Sequence, residues 1–287
     1  MTSAAWGRWG VDDERGALNR ITPDSVLRAV ASVSTGEPVS LAIAMNAGGG
    51  PHFKGRAPLQ HFMTRHGGDY AAGLRERGFG YADDYVLMAT HGTTHMDALS
   101  HVWRDGLMWN GISANTVTSR GASKCGIENV GPIVTRAVFV DFAHNCGTGE
   151  RPIHVDELRE AVTAAGVVPQ PGDSLLIRTG WLQRWRDGTA TEDHWSGLAP
   201  DCADWIDEQG FVFVGADNIA VEYGPTDDPM DAAPLHVELI RNRGVYFVEL
   251  LNLEGLAGRE RAQFMVTLAP LPLVGGVGSP VHPIAIL

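Results

Sequence analysis

Four residues with metal-binding or acid–base side chains lie close together in the run A-T-H-G-T-T-H-M-D-A-L-S-H-V-W, which spans positions 89–103. They are His91, His95, Asp97 and His101, in a chain that has 11 histidines in total. Imidazole nitrogen and carboxylate oxygen are ligands that Zn²⁺ and Mn²⁺ take in proteins. The alternative is an ordinary loop with scattered polar residues. The density of potential ligands favours a metal or catalytic site.

Backbone geometry limits how these side chains can meet at one ion. On an α-helix, His91 and His95 would share a face, but Asp97 would lie roughly 240° around the axis from His91. On a straight strand, His91 and Asp97 would be about 20 Å apart at 3.3 Å per residue. Ligand atoms must instead converge to roughly 2 Å from the ion. We therefore expect the segment to curl near the end of a strand, with Gly92 favouring a turn.

Composition argues against several classes of partner. The chain has 287 residues, a formal net charge of -12 and 44% hydrophobic residues, and no Lys/Arg cluster offsets the acidity. Nucleic acid and anionic membranes are therefore not expected as partners. No apolar run is long enough to span a membrane, and residues 1–14 lack the apolar core of a secretory signal peptide.

The three cysteines indicate a reducing compartment. Cys125, Cys146 and Cys202 are odd in number, far apart and outside any C-x-x-C pattern. This usage is typical of buried, reduced thiols in a cytoplasmic protein.

The pattern of hydrophobic residues predicts a mixed α/β protein without the regular alternation of a barrel or a doubly wound sheet. Strands are expected over 38–45, 60–64, 85–89, 133–142, 174–179, 211–215, 245–250 and 262–268, and helices over 154–165, 202–209 and 234–242. Another helix begins at Thr22-Pro23, and its apolar stripe predicts a core-facing side. That stripe consists of Val26, Leu27, Val30 and Val33.

We expect a single domain over residues 1–287, because the sequence has no repeat, no low-complexity linker and no shift in composition. Residues 1–20 are rich in Trp, Gly and charge and have no clean periodicity. They are expected to form an N-terminal arm. The arm packs either on the core of its own subunit or on the site of a neighbouring subunit.

The run H-G-T-T-H-M-D-A-L-S-H at 91–101 resembles the H-x-G-T-H-x-D-x-P-x-H signature of the metal-dependent cyclase family, which includes bacterial kynurenine formamidases, isatin hydrolases and related lactamases. Three more stretches are similar to family segments: L-L-I-R-T-G-W at 175–181, G-A-D-N-I-A-V-E at 215–222 and the stretch 236–253. Residues 9–23 resemble the N-terminal arm of a large branch of the family. The chain departs from the pattern at Thr93, Leu99 and Ala220, where Gly, Pro and Ser are usual.

The resemblance assigns roles to individual residues. It makes His91, His95 and Asp97 the ligands of a first metal ion and His101 the catalytic acid/base. His236 and Glu249 match the late pair that completes a second metal site or lines the active site. The resemblance also implies a swivelling β/β/α fold and a homodimer or homotetramer.

Chemistry and resemblance together indicate an amidohydrolase that acts on non-peptide C–N bonds. A divalent cation, Zn²⁺ or Mn²⁺, can lower the pKa of bound water from 15.7 to about 7 and polarise a carbonyl group. The expected substrate is a small amide, either a cyclic one (a lactam or an isatin-like compound) or an aryl formamide. The alternatives are a lactone hydrolase or cyclase/lyase acting on a polyketide-like substrate, and a metal-binding protein without catalysis. Substrate contacts are expected from Arg178, Trp103 and Phe62, with a structural ion pair as the alternative for Arg178.

Overall fold

The computed structural model of the protein describes residues 4–47, 50–51, 53–71, 78–144, 146, 150–226 and 232–287, so residues 1–3 of the expected arm lie outside it. The strands are β1 Pro38–Ser40, β2 Gln60–Arg65, β3 Asp83–Leu87, β4 His95–Asp97, β5 Val117–Thr118, β6 Gly121–Ala122, β7 Ile133–Asp141, β8 Pro152–Ile153, β9 Ser174–Arg178, β10 Gly197–Leu198, β11 Phe213–Ala216, β12 Tyr246–Glu249, β13 Gln263–Leu268, β14 Gly278–Pro280 and β15 Ile284–Ile286.

The α-helices are α1 Pro23–Ala31, α2 Gly68–Ala71, α3 Val155–Ala164, α4 Trp181–Arg186, α5 Ala203–Gln209 and α6 Pro234–His236, and α6 continues as a π-helical turn over Val237–Arg241. Short 3₁₀ turns cover Gly16–Arg20, Trp109–Gly111, Ala114–Thr116, Ile127–Asn129, Pro200–Cys202 and Glu254–Leu256. None of the described helices is long and apolar enough to cross a membrane.

A nine-stranded sheet organises the described residues, in the order β1-β15-β13-β7-β9-β11-β12-β4-β14. The central strands β7, β9, β11 and β12 run parallel to one another. The strands on either side of this block are antiparallel to their neighbours. The mixed α/β class predicted from the sequence is confirmed.

The centre of this sheet is buried on both faces, and its strands consist mostly of apolar residues. β9 reads S-L-L-I-R and β11 reads F-V-G-A, and every residue of both strands is buried. Continuous burial of this kind is typical of parallel strands that are covered on both sides. β13 lies outside the parallel block and alternates between buried and partly buried residues. Helices α1 and α3 pack against β7.

Half of the apolar stripe of α1 is exposed and its other two residues are half-buried, so the prediction of a core-facing stripe is wrong in part. Leu27 and Val30 are 65% and 51% exposed, whereas Ser25 and Ala29 are buried. A Cβ placed on Gly172 would come within 2.9 Å of the Ser25 side chain, which shows how closely the helix approaches the neighbouring backbone. Such an approach accepts only small side chains on the buried face.

The N-terminal arm packs on its own chain. Trp6 Nε1 donates to the carbonyl oxygen of Arg241 at 2.9 Å. Arg8 makes a two-bond ion pair with Asp207, at 2.6 and 2.7 Å. Farther along the arm, the Trp9 ring lies 5.9 Å from the ring of the buried Trp109. These contacts place the arm against the core of its own chain, which is one of the two arrangements that the sequence left open.

Strands β2 and β3 form a two-stranded hairpin outside the main sheet. The strand predicted at 60–64 is confirmed, and the strand predicted at 85–89 runs two residues earlier along the chain, over 83–87. The hairpin is followed by the turn that leads into β4.

Candidate metal centre

Strand β4 presents His95 and Asp97 on one face of the sheet. It lies between β12 and β14 and is antiparallel to both. Because side chains alternate along a strand, His95 and Asp97 point to the same side and Met96 to the other, where Met96 is fully buried. Glu249 of β12 is paired directly with His95. Directly paired residues have neighbouring side chains on one face, so the register places Glu249 beside His95.

Turns on either side of β4 bring in two more imidazoles. The turn before it is closed by the N–H of Gly92, which donates to the carbonyl of Ala89 at 3.0 Å. The turn after it is closed by the N–H of His101, which donates to the carbonyl of Ala98 at 3.0 Å. As a result, the rings of His91 and His101 stack with their centroids 4.3 Å apart.

Gly278 makes room for the His91 ring. It lies on β14 opposite Asp97, and a Cβ at this position would overlap the Nε2 of His91. Any side chain here would therefore push His91 away from Asp97.

His236 enters from α6 and is oriented by a buried carboxylate. Its Nδ1 donates to Glu222, and the same carboxylate accepts from the backbone N–H groups of Leu235 at 2.8 Å and His236 at 3.2 Å. Holding Nδ1 in this way directs Nε2 towards the sheet. His236 Nε2 lies 3.2 Å from Glu249 Oε1 and 3.7 Å from Asp97 Oδ2.

The facing atoms of these side chains converge without hydrogen-bonding one another. Among the described residues, His91 Nε2, His95 Nε2, Glu249 Oε1 and both carboxylate oxygens of Asp97 are buried and have no hydrogen-bond partner. Buried polar atoms are normally satisfied. Carboxylate oxygens and imidazole nitrogens left facing one another suit a divalent cation, so these residues fit the metal that the sequence predicts.

The potential ligand atoms form two overlapping groups. His91, Asp97 and His101 make one group, and His95, Asp97 and Glu249 make the other, with the ligand atoms of each group within 4.8 Å of one another. Asp97 belongs to both groups. His101 therefore lies close enough to Asp97 and His91 to act as a metal ligand itself. Its separate role as the catalytic acid/base stays a prediction.

Burial and neighbouring charges shift the pKa values of this cluster. Burial lowers the pKa of His91 to about 3. Burial also lowers the pKa of His95, but the adjacent carboxylates of Asp97 and Glu249, at 3.5 and 3.2 Å from its Nε2, outweigh it and raise that pKa to about 9. For the carboxyl groups of Asp97 and Glu249, burial raises the pKa, and the adjacent imidazoles outweigh it and lower both values. Both carboxylates are therefore ionised at neutral pH.

The structure places the three predicted substrate-binding residues in different surroundings. Trp103 is 51% exposed and lines, with His101, Arg104 and Val237, an open cavity of about 620 Å³. Phe62 lies on the exposed β2–β3 hairpin. The Arg178 guanidinium is held by Asp141 at 3.0 Å and Glu254 at 2.6 Å, which is the structural ion pair that the sequence left open.

Two residues of the site were missed as functional candidates in the sequence. Glu222 stands in the G-A-D-N-I-A-V-E stretch, but nothing in the spacing shows that it contacts His236. Gly278 is one of 35 glycines, and no local pattern distinguishes it. Both depend on contacts between distant parts of the chain.

Comparisons with known proteins agree with this geometry. The model of the Cyclase family matches residues 34–223, more than half of the chain. A solved structure described as a novel cyclase is 37% identical, covers 100% of both chains and superposes with a TM-score of 0.91. A search of curated proteins gives no match.

Two more distant structures share the fold. An isatin hydrolase bound to the product analogue thioisatinate is 17% identical, with 93% of this chain and 99% of that chain covered and a TM-score of 0.68. A predicted metal-dependent hydrolase from Bacillus stearothermophilus is 19% identical, with 87% and 97% covered and a TM-score of 0.55. The swivelling β/β/α fold expected from the sequence is confirmed, and the chain belongs to the cyclase family.

Proposed function

We propose that the protein is a metal-dependent hydrolase that cleaves the C–N bond of a small amide, either a cyclic one (a lactam or an isatin-like compound) or an aryl formamide. The observation that carries this proposal is the convergence of unpartnered buried atoms from His91, His95, Asp97 and Glu249. The site lies beside the open cavity at His101 and Trp103, which a small substrate can enter. The isatin hydrolase among the structural neighbours supports the choice of substrate class.

The side chains suit Zn²⁺ or Mn²⁺, since imidazole and carboxylate ligands bind both. Asp97, shared by two ligand groups, supports a site for two ions. A bound divalent ion would supply an activated water and polarise the amide carbonyl.

Side chains of the protein itself carry out the proton transfer. His101 is partly exposed next to the cavity. Burial lowers its pKa below the usual value for imidazole, so the ring is neutral at neutral pH and can accept a proton. We propose that its ring takes the proton of the attacking water and passes it to the leaving nitrogen. Glu222 keeps the His236 ring in one orientation during this cycle.

The experiment combines metal analysis with a substrate panel. Purified protein is assayed on isatin, formanilide, N-formylkynurenine, a γ-lactam and a lactone, before and after chelation and after adding back Zn²⁺ or Mn²⁺. We expect turnover of at least one amide, loss of that turnover on chelation and its return with metal. Turnover of the lactone with no turnover of any amide would contradict the proposal and favour the lactone hydrolase or cyclase/lyase.

The matched pair of variants is Asp97→Asn and Asp84→Asn. Asp97→Asn removes a charge from both ligand groups, so bound metal and activity should fall together. Asp84 is an exposed carboxylate paired with His61 on the hairpin, and its variant should keep both. Full metal content and full activity in Asp97→Asn would contradict the assigned site.

A further inference from the structure

Arg56 is a cation anchored beside the candidate metal centre. Its Nη1 donates to the carbonyl oxygen of His91 at 2.8 Å. Its guanidinium carbon lies 5.1 Å from the centre of the Phe53 ring, and its backbone N–H closes a turn on the carbonyl of Phe53 at 3.1 Å. These contacts fix a partly buried positive charge at the turn that carries His91.

Arg56 lies beside the stacked imidazoles of the site. Its guanidinium is hydrogen-bonded to the backbone of His91, and the His91 ring stacks on the His101 ring with the centroids 4.3 Å apart. Arg56 therefore holds its positive charge next to a residue of the candidate centre.

Arg56 has no acidic partner among the described residues. Its guanidinium makes one hydrogen bond there, to the His91 carbonyl, and no ion pair. Several other partly buried arginines hold carboxylates, as Arg136 does with Asp173 at 2.5 Å, whereas Arg241 is held by three oxygen acceptors that carry no charge. The neighbouring Lys54 is highly exposed and faces Asp193 at 3.4 Å. Removing a cation from water is unfavourable unless an anion compensates, so Arg56 has free capacity for an anionic ligand.

The chemistry of the guanidinium indicates what that anion is. Arginine binds carboxylates through two parallel hydrogen bonds, with the ring of an aromatic residue supporting its flat face. The formal charge of the whole protein is -12, which disfavours anions in general. An anionic substrate therefore needs a local cation at the site.

We propose that Arg56 forms a subsite for a carboxylate on the substrate, so that the enzyme prefers amides that carry a carboxylate away from the bond that is cleaved. This inference rests on the proposed amidohydrolase function. It narrows the substrate class from small amides to anionic amides, with Arg56 as a specificity-determining residue.

The kinetic test compares 2-formamidobenzoate with formanilide, two aryl formamides that differ by one carboxylate. The readout is the ratio of kcat/KM for the charged substrate to kcat/KM for the neutral one. In Arg56→Gln this ratio should fall about 10- to 100-fold, as expected for losing a hydrogen-bonded charge pair. Arg56→Lys keeps the charge and should retain more of the ratio. Lys54→Gln removes a cation two residues away and should leave the ratio unchanged.

Two outcomes with these variants would contradict the proposed carboxylate subsite. An unchanged ratio in Arg56→Gln, even with both rates lowered, would overturn it, because Arg56 would then act on the turn or on the chemistry of both substrates. Equal ratios in Arg56→Gln and Arg56→Lys would overturn it as well, because the positive charge at position 56 would then have no effect on the preference for the charged substrate.

A binding measurement separates this inference from the proposed function. Benzoate is titrated calorimetrically into the metal-loaded wild type, Arg56→Gln and Lys54→Gln. The Kd should rise about 10- to 100-fold in Arg56→Gln alone. Benzoate bound only through a metal ion would bind wild type and Arg56→Gln equally, and equal affinity or no binding would overturn the subsite. If no amide is hydrolysed, the proposed function fails while this titration still decides the subsite.

Discussion

Asp97 is the residue on which the candidate centre depends. Its Oδ1 lies 3.3 Å from His91 Nε2 and 3.5 Å from His95 Nε2, and its Oδ2 lies 3.7 Å from His236 Nε2. The carboxylate is buried and without a hydrogen-bond partner among the described residues. A single carboxylate that faces three imidazoles can bridge two ligand groups, which no other side chain of the cluster does.

The predicted acid/base role of His101 is tested by His101→Asn. If His101 moves protons and does not hold the ion, the variant should bind metal as the wild type does and lose about 10²- to 10⁴-fold in kcat. Metal content by mass spectrometry and kcat on the best amide check this. His61→Asn, which changes an exposed histidine of the hairpin, is the control. A parallel loss of metal from His101→Asn would make His101 a ligand instead.

Glu222 should matter through His236. Carboxylates that accept from the second nitrogen of a metal-binding imidazole typically contribute 10- to 100-fold to metal affinity. We expect Glu222→Gln to weaken binding of the second equivalent of Zn²⁺ or Mn²⁺ within that range, measured by competition with a chelating dye. Glu238→Gln is the matched control. Glu238 lies on the helical segment that carries His236, but its carboxylate pairs with Arg243. Unchanged affinity in Glu222→Gln would argue against an orienting role.

At the scale of elements, the site depends on the position of a three-residue strand. β4 is held by β12 on one side and β14 on the other, and the register pairs His95 with Glu249 and Asp97 with Gly278. A shift of one residue would turn His95 and Asp97 to the opposite face. The ladder hydrogen bonds of both neighbours therefore keep the ligands in place.

A second element-scale feature is the anchoring of the N-terminal arm by Asp207. Burial raises the pKa of Asp207, but Arg8 and Arg20 outweigh it and lower that pKa. A carboxyl group whose pKa is lower in the folded state stabilises the fold above its unfolded pKa and loses that contribution as pH falls through the folded value.

The corresponding prediction concerns Asp207→Asn. At pH 7 the variant should lose about 1–3 kcal/mol of unfolding free energy, because both arginines lose a charged acceptor. The difference from wild type should shrink as pH falls below about 4. Urea unfolding at several pH values measures it. Asp156→Asn, in a highly exposed pair with Arg159, should change stability by less than about 0.5 kcal/mol at every pH. A pH-independent difference for Asp207→Asn would refute the electrostatic explanation.

At the scale of the molecule, the β2–β3 hairpin exposes an apolar stripe. Phe62 is paired with Tyr85 and Gln60 with Leu87, so Phe62, Tyr85 and Leu87 share one face, and all three are exposed. A two-stranded hairpin is only marginally stable alone, and contiguous exposed apolar surface is typical of protein contacts. The stripe supports the predicted homodimer or homotetramer.

The oligomer prediction is tested by sedimentation at micromolar concentration. We expect the wild type to sediment as a dimer or tetramer. The double change Phe62→Glu with Leu87→Glu should shift it towards the monomer. Val168→Glu alters an equally exposed apolar residue away from the hairpin and should not. A monomeric wild type, or a hairpin variant with the wild-type mass, would contradict the prediction.

The three cysteine thiols have the state that the sequence predicts. All three cysteines are free and buried, as predicted. Burial raises the pKa of Cys125 to about 12 and also raises the pKa of Cys146 and Cys202. Burial therefore disfavours the reactive thiolate form of all three. The cytoplasmic location inferred from them stays a prediction.

The sequence by itself determined features that depend on local patterns. The apolar runs of β7, β9 and β12 identify buried strands, and the Thr22 cap with Pro23 marks the start of α1. The spacing of His91, His95, Asp97 and His101 identifies the candidate metal-binding segment, because a dense set of potential ligands is visible without knowledge of the fold. The resemblance to the cyclase family then adds His236 and Glu249 to the candidate ligands.

Only the tertiary structure decided which distant residues meet that segment. Glu249 reaches His95 through strand register, and Glu222 reaches His236 because its carboxylate receives the first N–H groups of α6. The exposed side of α1 follows from how closely that helix packs, which its apolar pattern does not reveal. Arg56, in a loop far from β4 in sequence, meets the site only through the carbonyl of His91. Contacts of this kind depend on how separate segments pack, and so no local pattern predicts them.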